Sequence, residues 1–429
     1  NQGIKFAASS ANPLATSRNY LFEIDTTENF NSSAKVGQAI TSSGGVVEFT
    51  PGVTFNDNRV YYWRVASAPT GNEQPKWNSS SFIYISGSEF GFNQSQRNQF
   101  NDELHENITV NQSGEFVYDS LQSTILLQNS INPYANVSQV GYYSLVIDDV
   151  FKQYGLITSP SGNPQENSLR FYLINNKNLS VIDNVDLGTS GRYGSYRPLP
   201  ANAQAMPGFF QFDISTIDAR KTVMSFLDSI PSGYYVCLTS NQWESTILPS
   251  VWQSDTATLG KNNSLYHKLK SIGLTKIDSV QSVIPYMFIY QKGKATPLAQ
   301  VIGSNIADRL LIRVKVPVSK PSGVIRSPVF KTATLWNRLE WDGMSVENPS
   351  YDNVLISILG IDNNGVEKLL KSNISILQKS VDLSTIDAKA YPGLRIIMRS
   401  TDSTDRSPYQ LKYWRLLSKP APEGAIAPN

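Results

Sequence analysis

The run Gly233-Tyr234-Tyr235-Val236-Cys237-Leu238-Thr239-Ser240-Asn241 decides how the chain is read. It follows a glycine turn, stays apolar for most of its length and closes on hydroxyl and amide residues, the pattern of a buried strand. Just upstream, Ile217 to Ile230 has helical spacing. Ala219, Val223, Phe226, Leu227 and Ile230 fall on one stripe, and Pro231 stops the helix. Downstream, Ser264 caps a second helix running to Ile272, with Leu265, Leu269 and Ile272 on its apolar face and Gly273 as its stop. Pro285-Tyr286-Met287-Phe288-Ile289-Tyr290 reads as another buried strand. Residues 168–292 therefore predict strands interleaved with helices around one core.

Leu169-Arg170-Phe171-Tyr172-Leu173-Ile174-Asn175 with Val181-Ile182-Asp183, the helix with Gly233 to Thr239, and Leu269 to Gly293 together resemble the interleukin-like EMT inducer domain. That domain occurs in secreted cytokine-like proteins and in the stem of a glycan-modifying enzyme. The resemblance covers about a third of the chain, and the family's paired cysteines are absent. It implies an α+β sandwich with short helices and a role in recognition.

Composition sets the outer bounds. The 429 residues suffice for about two to four domains. Charged residues make up 17%, below the usual share of about 25%, and Asn, Ser, Thr and Gln fill the difference. With 21 Tyr, 18 Phe and 7 Trp, the chain favours strands. A polar, weakly charged and aromatic surface fits an extracellular β-protein. The net charge of +2 and the absence of a basic stripe argue against nucleic acid as a partner. No apolar run approaches the roughly 18 residues of a membrane span. A single cysteine excludes an internal disulfide framework. The chain opens at Asn1 without Met and is expected to be a processed piece of something longer.

Outward from the centre, the expectation is a mainly β multi-domain chain. Residues 1–85 read as a sandwich. Asn19 to Thr26 alternates, Phe49 closes a strand before Thr50-Pro51, and Val60 to Ala66 and Ser81 to Ile85 complete the set. The Tyr-Tyr-Trp-Arg-Val strand resembles fibronectin type III domains, with Trp63 expected in the core. Residues 86–135 read as a connecting segment carrying the strand pair Phe116 to Tyr118 and Ser123 to Gln128. Residues 136–300 form the EMT-inducer-like domain, with Thr296 to Arg313 changing sheet. Residues 301–418 read as a jelly-roll-like sandwich, with Leu335 to Trp341, Asn353 to Ile361, Leu394 to Ser400 and Leu411 to Leu416 as strands. Residues 419–429 are linker-like.

Two further stretches carry resemblances. Phe90 to Gln96 followed by Phe100 is similar to a segment preceding such domains in large surface proteins of Bacteroidota. Asp382 to Ala388, Tyr391 to Leu394, Pro408 to Trp414 and Pro422 to Ala425 are similar to the region beyond the peptidase domain of PorU-like proteins. Those belong with gingipain-type cysteine peptidases and the type IX secretion system. The resemblance implies an extracellular or outer-surface setting, with surface glycan or type IX secretion envelope proteins as partners and further domains in the parent chain. It also leaves room for a reading as the accessory region of a PorU-like peptidase, or as a structural spacer.

Direct tests for chemistry return little. Cys237 sits among Tyr235, Val236 and Leu238 as a core thiol rather than a nucleophile, although spacing alone leaves a dyad with His105 or His267 open. His and Cys are too few for a metal site of that kind. Asp362-Asn363-Asn364-Gly365 lacks the later Glu of a calcium loop and reads as a hairpin turn. No phosphate-binding glycine motif appears. No catalytic residue, cofactor or metal ligand is expected in this chain. The ligand-contact candidates are Arg192, Tyr193 and Tyr196 in the excursion from Gly188 to Gly208, and Trp243 and Trp252 in that from Gln242 to Asn263. Long loops carrying aromatics and Arg suit recognition. Packing of these side chains onto the domain's own core is the alternative.

Overall fold

The computed structural model describes residues 4–9, 16–43, 45–71, 73–87, 90–95, 99–100, 103–131, 140–158, 167–185, 191–195, 208–242, 245–331 and 333–420. The protein is mainly β, with antiparallel sheets assembled into sandwiches and a few short helices, as expected.

In the N-terminal sandwich, Val36–Ser42, Arg18–Asp25, Arg59–Ser67 and Asn78–Tyr84 lie side by side in that order, opposite the pair Phe6–Ser9 and Val46–Phe49. Alternation puts Tyr20, Phe22 and Ile24 inside with Phe6, Phe49 and Tyr61. Trp63 packs on this core, its ring 5.2 Å from Phe6.

The central domain has three layers. One sheet runs Val150–Thr158, Val140–Ile147, Ser120–Ser130, Leu310–Ser319. It faces a second sheet, Phe210–Asp213, Ser168–Ile174, Tyr235–Asn241, Tyr286–Gln291, Ala299–Ile302. Ile125, Leu127, Leu145 and Ile312 meet Tyr172, Cys237, Met287 and Ile289 between them. The far side of the second sheet carries Leu169, Phe171, Leu238 and Phe288, covered by the helices Ile217–Ser229, Pro249–Gln253 and Leu265–Ser271. Every residue of Ser168–Ile174 and Tyr235–Asn241 is therefore buried, which explains near-continuous apolar runs in antiparallel strands.

Thr216 caps the first helix, accepting from the Ala219 N–H at 3.2 Å, and Ser264 caps Leu265–Ser271. Gly273 stops the latter at a φ of 110°, a backbone conformation open to glycine. The helical stripe holds a departure. Arg220 is buried where Ala219 was expected to lead, and its Nε and Nη2 donate to both oxygens of buried Asp255 at 2.7 Å.

The domain order differs from the linear reading. Residues 86–135 do not merely connect. Phe90–Gln94 pairs with Gln410–Pro420, and Leu104–Glu106 with Ser322–Arg326, so both belong to the jelly-roll-like sandwich. Phe116–Tyr118 pairs with Ile108–Val110, not with the strand that follows it. Ser120–Ser130 instead opens the central domain, and Leu310–Ser319, expected in the last domain, closes it. These two strands pair from Ser120 opposite Ser319 to Asn129 opposite Leu310. The central domain is thus inserted into the jelly roll through two adjacent strands, and the Lys320 N–H donates to the Asp119 carbonyl at 2.8 Å where they meet the host. A local pattern reveals a strand but not a partner two hundred residues away.

The jelly roll's own sheets are Glu367–Ser375, Asn353–Ile361, Gly393–Thr401, Ser322–Arg326, Leu104–Glu106 and Ser380–Asp382, Ala333–Met344, Gln410–Pro420, Phe90–Gln94. Trp336, Trp341 and Trp414 fill its core, and each indole N–H has an acceptor: the carbonyls of Tyr391 and Ile376, and Gln94 Oε1. A Cβ on Gly91 would lie 2.2 Å from the Leu416 carbonyl oxygen, so only glycine lets this strand dock so closely. Asp362 to Gly365 is the expected hairpin turn, with Asp362 Oδ1 accepting from the Asn364 and Val366 N–H groups.

Two stability predictions follow from these packing choices. Asp255→Ala strands the Arg220 charge and should cost about 3–5 kcal/mol in denaturant unfolding, much of it regained in Arg220→Met/Asp255→Leu. In the jelly roll, Glu103 is buried beside His105, 3.8 Å away; burial pushes the Glu103 carboxyl up to about 9 and the His105 imidazole down. The folded state then keeps the Glu103 proton where the unfolded chain releases it, so this group's contribution is full below about pH 4.5 and is lost as pH rises towards 9. Glu103→Gln should make unfolding nearly pH-independent between pH 7 and 9, and more costly than in the parent at pH 9. An unchanged alkaline slope in that variant would refute the assignment.

Candidate recognition site

The alternation along Ser168–Ile174 sends Leu169, Phe171 and Leu173 to the helices and Ser168, Arg170 and Tyr172 to the facing sheet. Arg170 is consequently held between two sheets and is only 4% exposed. Its guanidinium lies 3.5 Å from the centre of the Tyr143 ring and 5.1 Å from that of Phe209. Its Nη2 donates to Gln211 Oε1 at 2.9 Å. Its Nε and Nη1 make no hydrogen bond of good geometry to the described residues, and the Tyr172 hydroxyl lies against the guanidinium, close enough to share a side-chain hydrogen bond with it.

The surroundings are polar in an otherwise apolar sandwich. Thr239 is the cross-strand partner of Arg170, and Asn129 is that of Tyr143 on the opposite sheet. Asn129 Nδ2 donates to the Ser240 carbonyl at 2.9 Å, and Gln153 Oε1 accepts from the Gly208 N–H at 3.3 Å. Thr239 Oγ1 and Asn129 Oδ1 are buried without a hydrogen-bond partner among the described residues. Burial raises the Tyr172 phenol well above its ordinary value, so it stays a neutral hydroxyl. The cluster offers a fixed positive charge, hydroxyls that donate or accept, and an amide acceptor.

The sequence candidates are dispersed. Tyr193 is 47% exposed, with its ring 5.5 Å from Phe226 and 6.0 Å from Phe210, on the helix side of the sheet. Arg192 is exposed beside it, its Nε donating to the Val185 carbonyl at 3.0 Å. Tyr196 and Trp243 lie outside the described residues. Trp252 is a correction: it is completely buried under the helices, with its indole N–H donating to the Ile247 carbonyl at 2.8 Å. The excursion that carries it is helical over Pro249–Gln253 and Thr256–Leu259, and the largest side chain took the core position. Cys237 is buried between the sheets, and burial raises its thiol far above the range of a nucleophile. His267 lies on the helix side, with its Nδ1 2.8 Å from Ser264 Oγ, and His105 is in the jelly roll, so neither imidazole pairs with the thiol.

A second polar group joins the two domains. Lys177, in the turn after Ser168–Ile174, bonds Asp405 at 3.0 Å and Glu347 at 3.4 Å on the jelly roll, and Asn178 donates to the Thr404 carbonyl at 2.8 Å. Glu347, Asp402 and Asp405 bring their carboxylates within 4.8 Å of one another, and Lys177 balances two of them.

No protein-family model matches the chain, and no curated protein does. Among solved structures it aligns with an α-L-rhamnosidase from Dictyoglumus thermophilum at 7% identity and a TM-score of 0.15, over 95% of this chain and 45% of that one. The chain spans less than half of that structure's length, and a match this loose bears on neither fold nor function. No helix of the described residues is long and apolar enough to cross a membrane.

Trp252→Ala should destabilise the chain by about 3–5 kcal/mol in denaturant melts, the cost of emptying a core position. Tyr193→Ala, at a half-exposed position, should cost less than half as much in the same melts.

Proposed function

We propose that the chain is a non-catalytic recognition and scaffold region of a secreted or outer-surface bacterial protein, binding a glycan or an envelope protein on the exposed face of the central domain that carries Arg192 and Tyr193. The observation that carries this reading is the exposure of those two side chains, Tyr193 at 47% with Arg192 beside it, on a short turn outside the packed core. The sequence resemblances support a setting on the surface of a Bacteroidota cell, linked to type IX secretion. A second reading, a structural spacer, draws support from the Lys177 clamp, which suits a part that holds its neighbours in fixed orientation.

The test is retention of solubilised outer envelope on the immobilised chain, with polysaccharide and protein analysed separately. A polysaccharide or a protein eluted specifically from the parent and reduced at least about tenfold on Arg192→Ala/Tyr193→Ala is the expected result. Retention of nothing, or retention indifferent to that substitution, overturns the placement of the site.

A further inference from the structure

We infer that the outer face of the first central sheet is a self-complementary interface that joins two copies of this chain. The second sheet of the domain is covered on both sides, but the first, Val150–Thr158, Val140–Ile147, Ser120–Ser130 and Leu310–Ser319, gives only one face to the core. The other face is left to water, where an antiparallel sheet ordinarily presents polar residues. Here Phe151 is 58% exposed and Leu311 51%, and Tyr154 is nearly as open, its ring 6.0 Å from that of Phe151. Phe151 and Tyr154 stand on one edge strand of the sheet and Leu311 on the other. Apolar side chains held open at both edges of one face mark an interaction surface. Tyr193 lies on the helix side of the second sheet, so this face is a different one from that of the recognition reading.

The strand register picks the occupant. Across the sheet one row reads Phe151, Val146, Leu126, Arg313, and the next reads Tyr154, Ser144, Gln128, Leu311. A second copy turned about a two-fold axis parallel to the strands keeps the rows and reverses the strand order. Phe151 then meets the exposed guanidinium of the other copy's Arg313, an aromatic ring against a cation. Tyr154 meets Leu311, and Val146 meets Leu126. The neighbouring row begins at exposed Lys315, opposite Thr124, and ends at the acidic hairpin turn Asp148-Asp149, whose Asp148 exchanges hydrogen bonds with Thr124. The same rotation sets Lys315 against that turn in the other copy. Charge and apolar surface are thus matched by one operation, and the two sheets can stack in the aligned manner of a sandwich, about 10 Å apart. The face measures about 19 Å across the strands and about 20 Å along them, roughly 400 Å² on each copy. That is small for a permanent dimer, so the pair is a transient one with a Kd of about 1–100 μM.

The experiment is sedimentation equilibrium of the full chain from about 1 to 200 μM, a range in which the parent should pass from monomer to dimer. Phe151→Lys sets like charges against each other at both ends of the interface and should weaken the dimer at least about tenfold. Leu311→Asp, on the opposite edge strand, should do the same. Both side chains are more than half exposed, so both variants should melt as the parent does. In one chain Phe151 and Arg313 are separated by two intervening strands. The charges of Phe151→Lys/Arg313→Glu can therefore pair only between copies, and that double variant should regain the affinity lost in Phe151→Lys. A chain that stays monomeric throughout overturns the inference and leaves the face to a different macromolecule. A dimer that ignores either single substitution, or a double variant no tighter than Phe151→Lys, also overturns it. So does assembly beyond the dimer, since a two-fold pairing of one face closes on itself. A melting temperature lowered by more than about 5 °C in either single variant overturns it too, as the mark of a side chain already packed within one chain.

Discussion

The sheet containing Ser168–Ile174 and Tyr235–Asn241 has no face to give to water. Most antiparallel sheets put their polar residues on a solvated side. Here one side is claimed by helices and the other by a second sheet, and the rest of the domain depends on that double coverage. Any polar residue in these strands must find its partners inside. Ser240 does so, its Oγ accepting from the Tyr286 N–H at 2.9 Å and its carbonyl from Asn129. On the helix side, Arg220 does so through Asp255. Arg170, the second buried arginine of the domain, does so through Gln211 and the faces of Tyr143 and Phe209. One has a carboxylate and the other has aromatic faces and an amide.

The same sheet explains how the domain is joined to its host. Its partner layer is closed by the pairing of Ser120–Ser130 with Leu310–Ser319, the first and last strands of the insert. Entry and exit lie side by side, so the host is asked to accommodate only one point of attachment. The Lys177 turn, on the strand that also bears Arg170, adds a second point of contact through Glu347, Asp405 and Thr404. A tether and a clamp together restrict rotation more than either alone. Each exposed ion pair in that clamp is worth little by itself, so the orientation rests mainly on the paired strands.

Local chemistry made much of this visible before any coordinates. The caps at Thr216 and Ser264, the stop at Gly273, the Asp362 hairpin and most jelly-roll strands are short-range features, and short-range features are written in neighbouring residues. Three things were not. The pairing of Phe90–Gln94 with Gln410–Pro420 spans most of the chain and leaves no local mark. Trp252 looked like a loop aromatic because Pro249 and the surrounding Ser and Gln disguise a single helical turn. Arg170 stands inside an apolar strand. The available signal was the charge itself: an arginine between Leu169 and Phe171, in a strand with apolar residues at both parities, has no solvent side to which it can turn.

The insertion also sets an order of events during synthesis. The ribosome releases residues 90–118 early, yet the strands that complete their sheets, Ser322–Arg326 and Gln410–Pro420, come only after the whole 120–319 segment. The insert has its first and last strands as mutual partners and can close its layers while the host is still half a domain. The early host strands must wait as open edges, and Phe90 and Leu104 remain exposed even when folding is complete. Such edges are where chains find the wrong neighbour. The jelly roll is therefore the late and vulnerable step, and the insert is the finished object around which its two halves are drawn together.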